Sequence, residues 1–121
     1  MLIHAFDSPP DLLALHARNP MRYPALLQSS FQEGWDILFA FPQECSVYPA
    51  QAGAASAFLS RLDSLPIKQS PPEPHGLPFT GGWFVYAGYE ILHTIEPSVP
   101  APQVDAFPLA ALLRIPVAIL H

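Results

Sequence analysis

Histidine and acidic side chains are the groups of this sequence that could act as acids, bases or metal ligands. Its five histidines form no H-E-x-x-H pair, the spacing that places two imidazoles on one helical face. Its ten acidic residues form no close pair within an apolar segment, as an acid–base dyad requires. The residue pattern therefore predicts no catalytic residues and no metal site of its own.

Three further sets of side chains could take part in chemistry, but none matches a complete catalytic or metal-binding motif. Glu90 and His93 are three apart on a predicted helix and share a face, which suits either a metal site or, by default, a solvated pair. Ser29 lies in no G-x-S-x-G elbow. Cys45 is the single cysteine, which excludes an intrachain disulfide and fits a reducing cytosol. As a catalytic thiol it would need a nearby base; the alternative is an ordinary cysteine.

Composition limits the class of partner. Hydrophobic residues make up 50% of the chain and charged residues 12%, about half the usual charged share. A chain this apolar is expected to keep an uncovered apolar face for a partner. The net charge of −5, with five scattered basic residues, argues against nucleic acid as that partner.

The 121 residues predict one domain, 1–121, outside the membrane. The most apolar window, residues 106–120, is shorter than the ~20 residues of a spanning helix and contains Pro108, Arg114 and Pro116. No basic segment followed by an apolar run is visible at the N-terminus. A cytoplasmic location is the expectation.

The elements that would position these groups follow from apolar periodicity and proline. Residues 2–6 suit a first strand, and Ser8 suits the N-cap of a helix that ends at Asn19. Residues 23–29 and 35–41 predict strands, and residues 45–48 a short strand that could pair with the second of these. Residues 50–65 predict a helix, residues 69–76 a proline-rich connection, and residues 109–120 a last strand region in which Pro116 indicates an edge, a bulge or a break. This order predicts an α+β fold with a mostly antiparallel sheet and two to three helices.

Residues 77–90, LPFTGGWFVYAGYE, are the glycine-aromatic segment. Its local pattern is a glycine turn, a strand at residues 83–86 and a helix from Tyr89 to residue 95. A phosphate-binding loop is the alternative, but neither the P-loop nor the dinucleotide glycine pattern is present.

The glycine-aromatic segment resembles the N-terminal domain of the chorismate-utilising enzymes, which include aminodeoxychorismate synthase component I (para-aminobenzoate synthase component I) and anthranilate synthase component I. The family pattern is roughly Gly-Gly-x-x-Gly-Tyr-x-Gly-Tyr-Glu/Asp, and Val85 stands where the family usually has glycine. YPALLQSS, WDILFAFP and FPLAALLRIPVAIL resemble neighbouring family strands. The matching residues of the segment are Gly81, Gly82, Tyr86, Gly88, Tyr89 and Glu90.

This resemblance implies a non-catalytic part of the family's α/β sandwich. In the family a C-terminal chorismate-binding domain carries the catalytic residues and the Mg²⁺, and a glutamine amidotransferase component supplies ammonia. The complete enzyme would convert chorismate to 4-amino-4-deoxychorismate for 4-aminobenzoate and folate synthesis. An amino-acid-binding or protein-binding domain of the same fold, or a structural fragment without activity, are the alternatives.

The resemblance also implies a tryptophan pocket beside the family's Leu-Leu-x-Ser strand, here Leu26, Leu27, Gln28 and Ser29. Many anthranilate synthases have glutamate where this chain has Gln28, and glutamate would pair with the ammonium group of tryptophan. Its replacement favours aminodeoxychorismate synthase over anthranilate synthase. An ordinary strand residue is the alternative for Ser29.

Overall fold

A computed structural model describes residues 1–31, 33–66, 76–101, 103 and 106–121. The chain is α+β, as predicted, and its described residues form three α-helices and two three-stranded antiparallel sheets. It divides into two compact units. The first contains the described residues of 1–44, 72–83 and 114–121, and the second those of 45–71 and 84–113.

The first unit contains helix α1 (Leu12–Arg18) and a sheet of β1 (Ala25–Leu27), β2 (Ile37–Ala40) and β6 (Val117–Leu120). The central strand β2 pairs antiparallel with both neighbours, Phe39 lying opposite Ala25 on one side and Ala118 on the other. Leu38 of β2 is fully buried. The sheet therefore has a packed face that includes Leu38.

The second sheet has the order β3 (Glu44–Tyr48), β5 (Ala110–Ile115), β4 (Gly82–Ala87), and most of its residues belong to the second unit. This unit also contains α2 (Ala54–Asp63), a 3₁₀ turn (Tyr89–Ile91) and α3 (Leu92–Ile95). Phe58 of α2 is 1% exposed and meets Tyr48 edge to face, with ring centroids 5.5 Å apart. Phe58 and Leu112 are both fully buried and belong to the core of the second unit.

Several predicted elements are confirmed with shifted ends. Residues 23–29, 35–41 and 50–65 contain β1, β2 and α2, each shorter than predicted. Pro116 divides residues 109–120 into β5 and β6, which confirms the predicted break at that proline. The proline-rich connection, residues 69–76, lies outside the described residues except for Gly76.

Two predictions at the N-terminus are wrong. Residues 2–6 form no strand, since no neighbouring strand pairs with them. Helix α1 begins three residues later than predicted, with Asp11 as its N-cap, and the Asp11 carboxylate accepts a hydrogen bond from the Ala14 N–H at 2.9 Å. Pro10 disfavours helical backbone at Pro9, which explains why Ser8 does not cap the helix.

The predicted pairing of residues 45–48 with β2 is also wrong. β2 lies between β1 and β6, whereas β3 lies beside β5. Phe41, just after β2, has a left-handed φ of 55°, and the Gln43 N–H donates to the Arg114 carbonyl at 2.9 Å. The chain between the two strands therefore bonds to a residue far away in sequence instead of closing a hairpin.

Candidate functional site

The glycine-aromatic segment contains β4 and the start of the 3₁₀ turn, and α3 follows directly after that turn, so the predicted strand and the helix predicted from Tyr89 to residue 95 are both confirmed. Gly81 precedes β4 with a φ of 109°, a region that favours glycine. A Cβ at Gly81 would also lie 3.3 Å from the Pro116 carbonyl oxygen. Next to it, the Gly82 carbonyl accepts a hydrogen bond from Nη1 of Arg114 at 2.9 Å. Both glycines therefore lie close to residues 114–116.

Gly88 is required for a different reason. Its backbone is extended, with φ −68° and ψ 151°, which any residue can adopt. A Cβ there would lie only 2.8 Å from the Leu109 carbonyl oxygen and 2.6 Å from Oε2 of Glu90. The Gly88 N–H donates to that same Leu109 carbonyl at 2.8 Å. The absent side chain thus allows a direct backbone contact between the end of β4 and the residue before β5.

The polar residues of the glycine-aromatic segment are arranged around a small cavity in the second unit. Tyr86 is half-buried and meets Phe107 edge to face at 5.7 Å between ring centroids. Glu90 and both of these rings line a cavity of about 110 Å³. A space of this volume holds a few water molecules. Tyr89 is 83% exposed and takes no part in the lining.

Glu90 and His93 do not form a metal site in the part of the chain that the structure describes. The His93 Nδ1 atom is hydrogen-bonded to the Val99 carbonyl, which requires that nitrogen to be the protonated one. No group of three potential ligands occurs among the described residues. The half-buried His93 instead connects α3 to the following loop.

The residues predicted to line a tryptophan pocket lie at the end of β1 and in the turn after it. Leu27 is 49% exposed and Gln28 is exposed. The Ser29 N–H donates to Oδ1 of Asp36 at 2.8 Å, while its hydroxyl donates to the Phe31 carbonyl at 3.2 Å and accepts from the Phe31 N–H at 3.1 Å. The Ser29 hydroxyl therefore closes a local turn.

A larger cavity, of about 570 Å³, lies in the first unit. Residues 1–6, β6 and Phe79 contribute to its lining, together with aromatic residues near the ends of β1 and β2. Leu27, Gln28 and Ser29 line neither this cavity nor the small one. Sequence reasoning missed it because its walls come from segments that are distant in sequence and have no shared motif.

Side-chain exposure agrees with the expectation from composition. Large apolar residues are exposed in both units, including Met21 at 84% and Phe31 at 81%. Cys45 is also exposed. None of the helices in the described ranges has the length and apolar character needed to span a bilayer.

No family model matches the sequence, and a search of curated proteins finds no relative.

Proposed function

We propose that this chain is the N-terminal scaffold domain of a cytoplasmic aminodeoxychorismate synthase component I. The supporting observation is the contact made by Gly88. A side chain at this position would overlap the Leu109 carbonyl, and the N–H of the same residue bonds to that carbonyl. The glycine is thus explained by packing between backbone segments, as a scaffold role requires.

The remaining residues of the glycine-aromatic segment fit the same role. Gly81 and Gly82 approach residues 114–116, and Tyr86 packs against Phe107. These contacts join backbone segments and pack aromatic rings, as expected of a structural role. In the proposal the reaction takes place in a chorismate-binding domain outside these 121 residues. The 121-residue domain stabilises the fold of that catalytic domain.

The exposed apolar side chains support a partner surface on the proposed scaffold. Burial of apolar area is the main favourable term in most protein–protein association, at roughly 25 cal/mol per Å². In the proposal the chorismate-binding domain covers part of this surface. A glutamine amidotransferase is the second partner and supplies ammonia. Mg²⁺ in the complete enzyme would offset the carboxylates of chorismate and assist departure of the C4 hydroxyl.

An assay of the full-length gene product tests this proposal. The protein is incubated with chorismate, Mg²⁺ and ammonium, and the products are separated by liquid chromatography. We expect 4-amino-4-deoxychorismate from the full-length protein and unchanged chorismate from the 121-residue chain alone. Anthranilate as the product would favour the anthranilate synthase alternative. Turnover by the 121-residue chain alone would contradict the scaffold role.

Variants of the full-length protein separate a scaffold role from a catalytic one. Gly88→Ala is expected to lower the yield of folded protein while the turnover number of the folded fraction stays unchanged. Ala87→Ser alters the exposed neighbouring residue and serves as the matched control. A large fall in turnover number at unchanged stability would instead place Gly88 in a reaction site.

Titration with tryptophan tests the alternative amino-acid-binding role. The Gln28 side chain is exposed and the Ser29 hydroxyl is hydrogen-bonded within its own turn. Neither side chain is charged, so neither can form an ion pair with the ammonium group of tryptophan. We therefore expect a flat isotherm in calorimetry. Saturable binding that is lost in Ser29→Ala would support the amino-acid-binding domain instead.

A further inference from the structure

We propose that the larger cavity of the first unit binds a small, uncharged aromatic molecule. Its volume of about 570 Å³ falls within the roughly 300–1,000 Å³ that is typical of ligand pockets. A dry apolar cavity of about 150 Å³ already accommodates benzene. The cavity is therefore large enough for a bicyclic aromatic compound.

The edge strand β6 contributes all four of its residues to the cavity lining: Val117, Ala118, Ile119 and Leu120. Residues directly opposite each other in a sheet project to the same side, so Ala118 shares one face with Phe39, and Ile119 shares the other face with Leu38. The lining thus includes residues from both faces of β6, as expected of a cavity that runs along this edge of the first sheet.

Two aromatic rings in the wall of the cavity are partly exposed to solvent. Trp35 and Phe41 line the cavity from either end of β2 and remain 46% and 51% exposed. Fully burying a side chain of this size stabilises a protein by about 1.5–3 kcal/mol relative to leaving it exposed. A bound apolar molecule would complete part of that burial, and this supplies the driving force for binding.

Three rings of the cavity wall already take part in edge-to-face pairs. Tyr23 meets Phe41 at 6.1 Å between centroids and 64°, and Phe79 meets Phe39, a buried ring outside the lining, at 5.1 Å and 90°. Aromatic pairs in such geometries gain about 0.5–1.5 kcal/mol beyond their buried area. An aromatic ligand can extend this arrangement, whereas an aliphatic one of equal size cannot.

Charge argues for an uncharged ligand. Among the described residues that line the cavity there is no Asp, Glu, Lys or Arg side chain, and the α-amino group in the lining belongs to Met1, a residue that is 66% exposed. Arg22, the nearby cation, lies over the Phe41 ring at 5.3 Å from its centroid and does not line the cavity. Burying a charged group without a partner is strongly unfavourable. His4, Tyr23 and Thr80 offer polar groups for one or two hydrogen bonds to a ligand hydroxyl.

A pair of naphthalene probes tests this proposal. ¹H–¹⁵N correlation spectra of the chain are recorded during titration with 2-naphthol, which is uncharged at neutral pH, and with 2-naphthoate, which has the same rings and a carboxylate. We expect 2-naphthol to give saturable shifts centred on the amides of β6 and Thr80. We expect 2-naphthoate to bind at least about tenfold more weakly, the equivalent of 1.4 kcal/mol.

Substitutions locate the site. Ala118→Leu places added volume in the cavity and is expected to weaken 2-naphthol binding at least about tenfold. Ala57→Leu makes the same change on the exposed surface of α2 and should leave the affinity unchanged. Thr80→Val removes a hydroxyl at an exposed position, keeps the shape, and is expected to weaken binding about threefold. It tests the proposal even if Ala118→Leu does not fold.

Three results would overturn the proposal. The first is a titration with 2-naphthol that does not saturate. The second is equal affinity for the two probes, which would contradict the argument from charge. The third is a set of shifts spread over exposed apolar residues of both units and insensitive to Ala118→Leu, which would indicate non-specific adsorption.

Discussion

The turn after β1 and the turn after β4 differ in what holds them in place. At Gly88 the contact is between two backbone segments, and any side chain would interfere with it. At Ser29 the contacts come from side chains, the Ser29 hydroxyl and the Asp36 carboxylate. A backbone contact tolerates almost no change of residue, whereas a side-chain hydrogen bond can be replaced by another acceptor or by water. Substitutions at the two turns should therefore differ in cost.

The largest effect is expected from Gly88→Ala. Its methyl group would lie 2.8 Å from the Leu109 carbonyl oxygen, so backbone must move. Overpacking of this kind costs about 1–3 kcal/mol, and we expect the upper half of that range in the free energy of unfolding. Urea denaturation of the variant and of the Ala87→Ser control measures it. A loss no greater than that of the control would mean that the turn after β4 can relax.

A comparable effect of different origin is expected from Gly34→Ala in the turn after β1. Its methyl group would lie 1.7 Å from the Ser29 hydroxyl oxygen and 2.3 Å from its Cβ; the hydroxyl can rotate away, but the Cβ moves only with the backbone. We expect a loss of about 1–3 kcal/mol that falls by about 1 kcal/mol when Ser29→Gly, which removes both atoms, is also present. A double-mutant cycle from urea denaturation measures this coupling. Equal costs with and without Ser29 would show that the backbone, and not the side chain, resists the change.

Asp36→Ala tests the side-chain hydrogen bond directly. The half-buried Asp36 carboxylate accepts from the Ser29 N–H at 2.8 Å, and hydrogen bonds to charged groups contribute about 1.5–3 kcal/mol. We expect Asp36→Ala to lose about 1.5 kcal/mol and Asp36→Asn, which keeps an acceptor oxygen, about half of that. Thermal unfolding distinguishes them. If Asp36→Asn is as unstable as Asp36→Ala, the stabilisation by Asp36 comes from its charge and not from the acceptor oxygen.

The smallest effect is expected at Glu96, in another turn held by a side chain. Hydrogen bonds from the Ser98 hydroxyl and N–H lower the pKa of this exposed carboxyl below its usual value of 4.5. A lowered pKa in the folded state stabilises the protein above pH 4.5, and that contribution is lost as pH falls through the lowered value. We therefore expect a slight advantage over Glu96→Gln at neutral pH that disappears in acid. Melting temperatures measured across this range test the sign, and an advantage that grew in acid would refute it.

Local signals in the sequence account for much of the fold. Pro116 predicts a break in the last strand region because it has no N–H to donate, and Gly88 predicts the end of β4 because glycine weakens a strand and often stands where another backbone approaches closely. The predicted partner of β3 was wrong because strand pairing depends on contacts between distant residues. A short connection such as residues 42–44 favours a hairpin between the two strands that it joins. In the structure, however, β3 lies beside β5 and not beside β2.

The candidate sites were less predictable. The motif indicated that glycine is needed at positions 81 and 88, but not why. Gly81 is needed for its left-handed φ, whereas Gly88 is needed because another backbone segment lies close to it. The larger cavity has no sequence signal, because residues 1–6, Phe79 and β6 meet there only after folding. Apolar composition predicted uncovered surface but not its position.

The exposed Cys45 of β3 has a practical consequence. Since the chain contains one cysteine, a maleimide dye will attach at a single defined position without prior mutagenesis. Cys45 belongs to the second unit, and neither Ser29 nor the proposed naphthol site does. A fluorophore at Cys45 can therefore report on partner association. Ser29 and the residues that line the larger cavity remain unmodified.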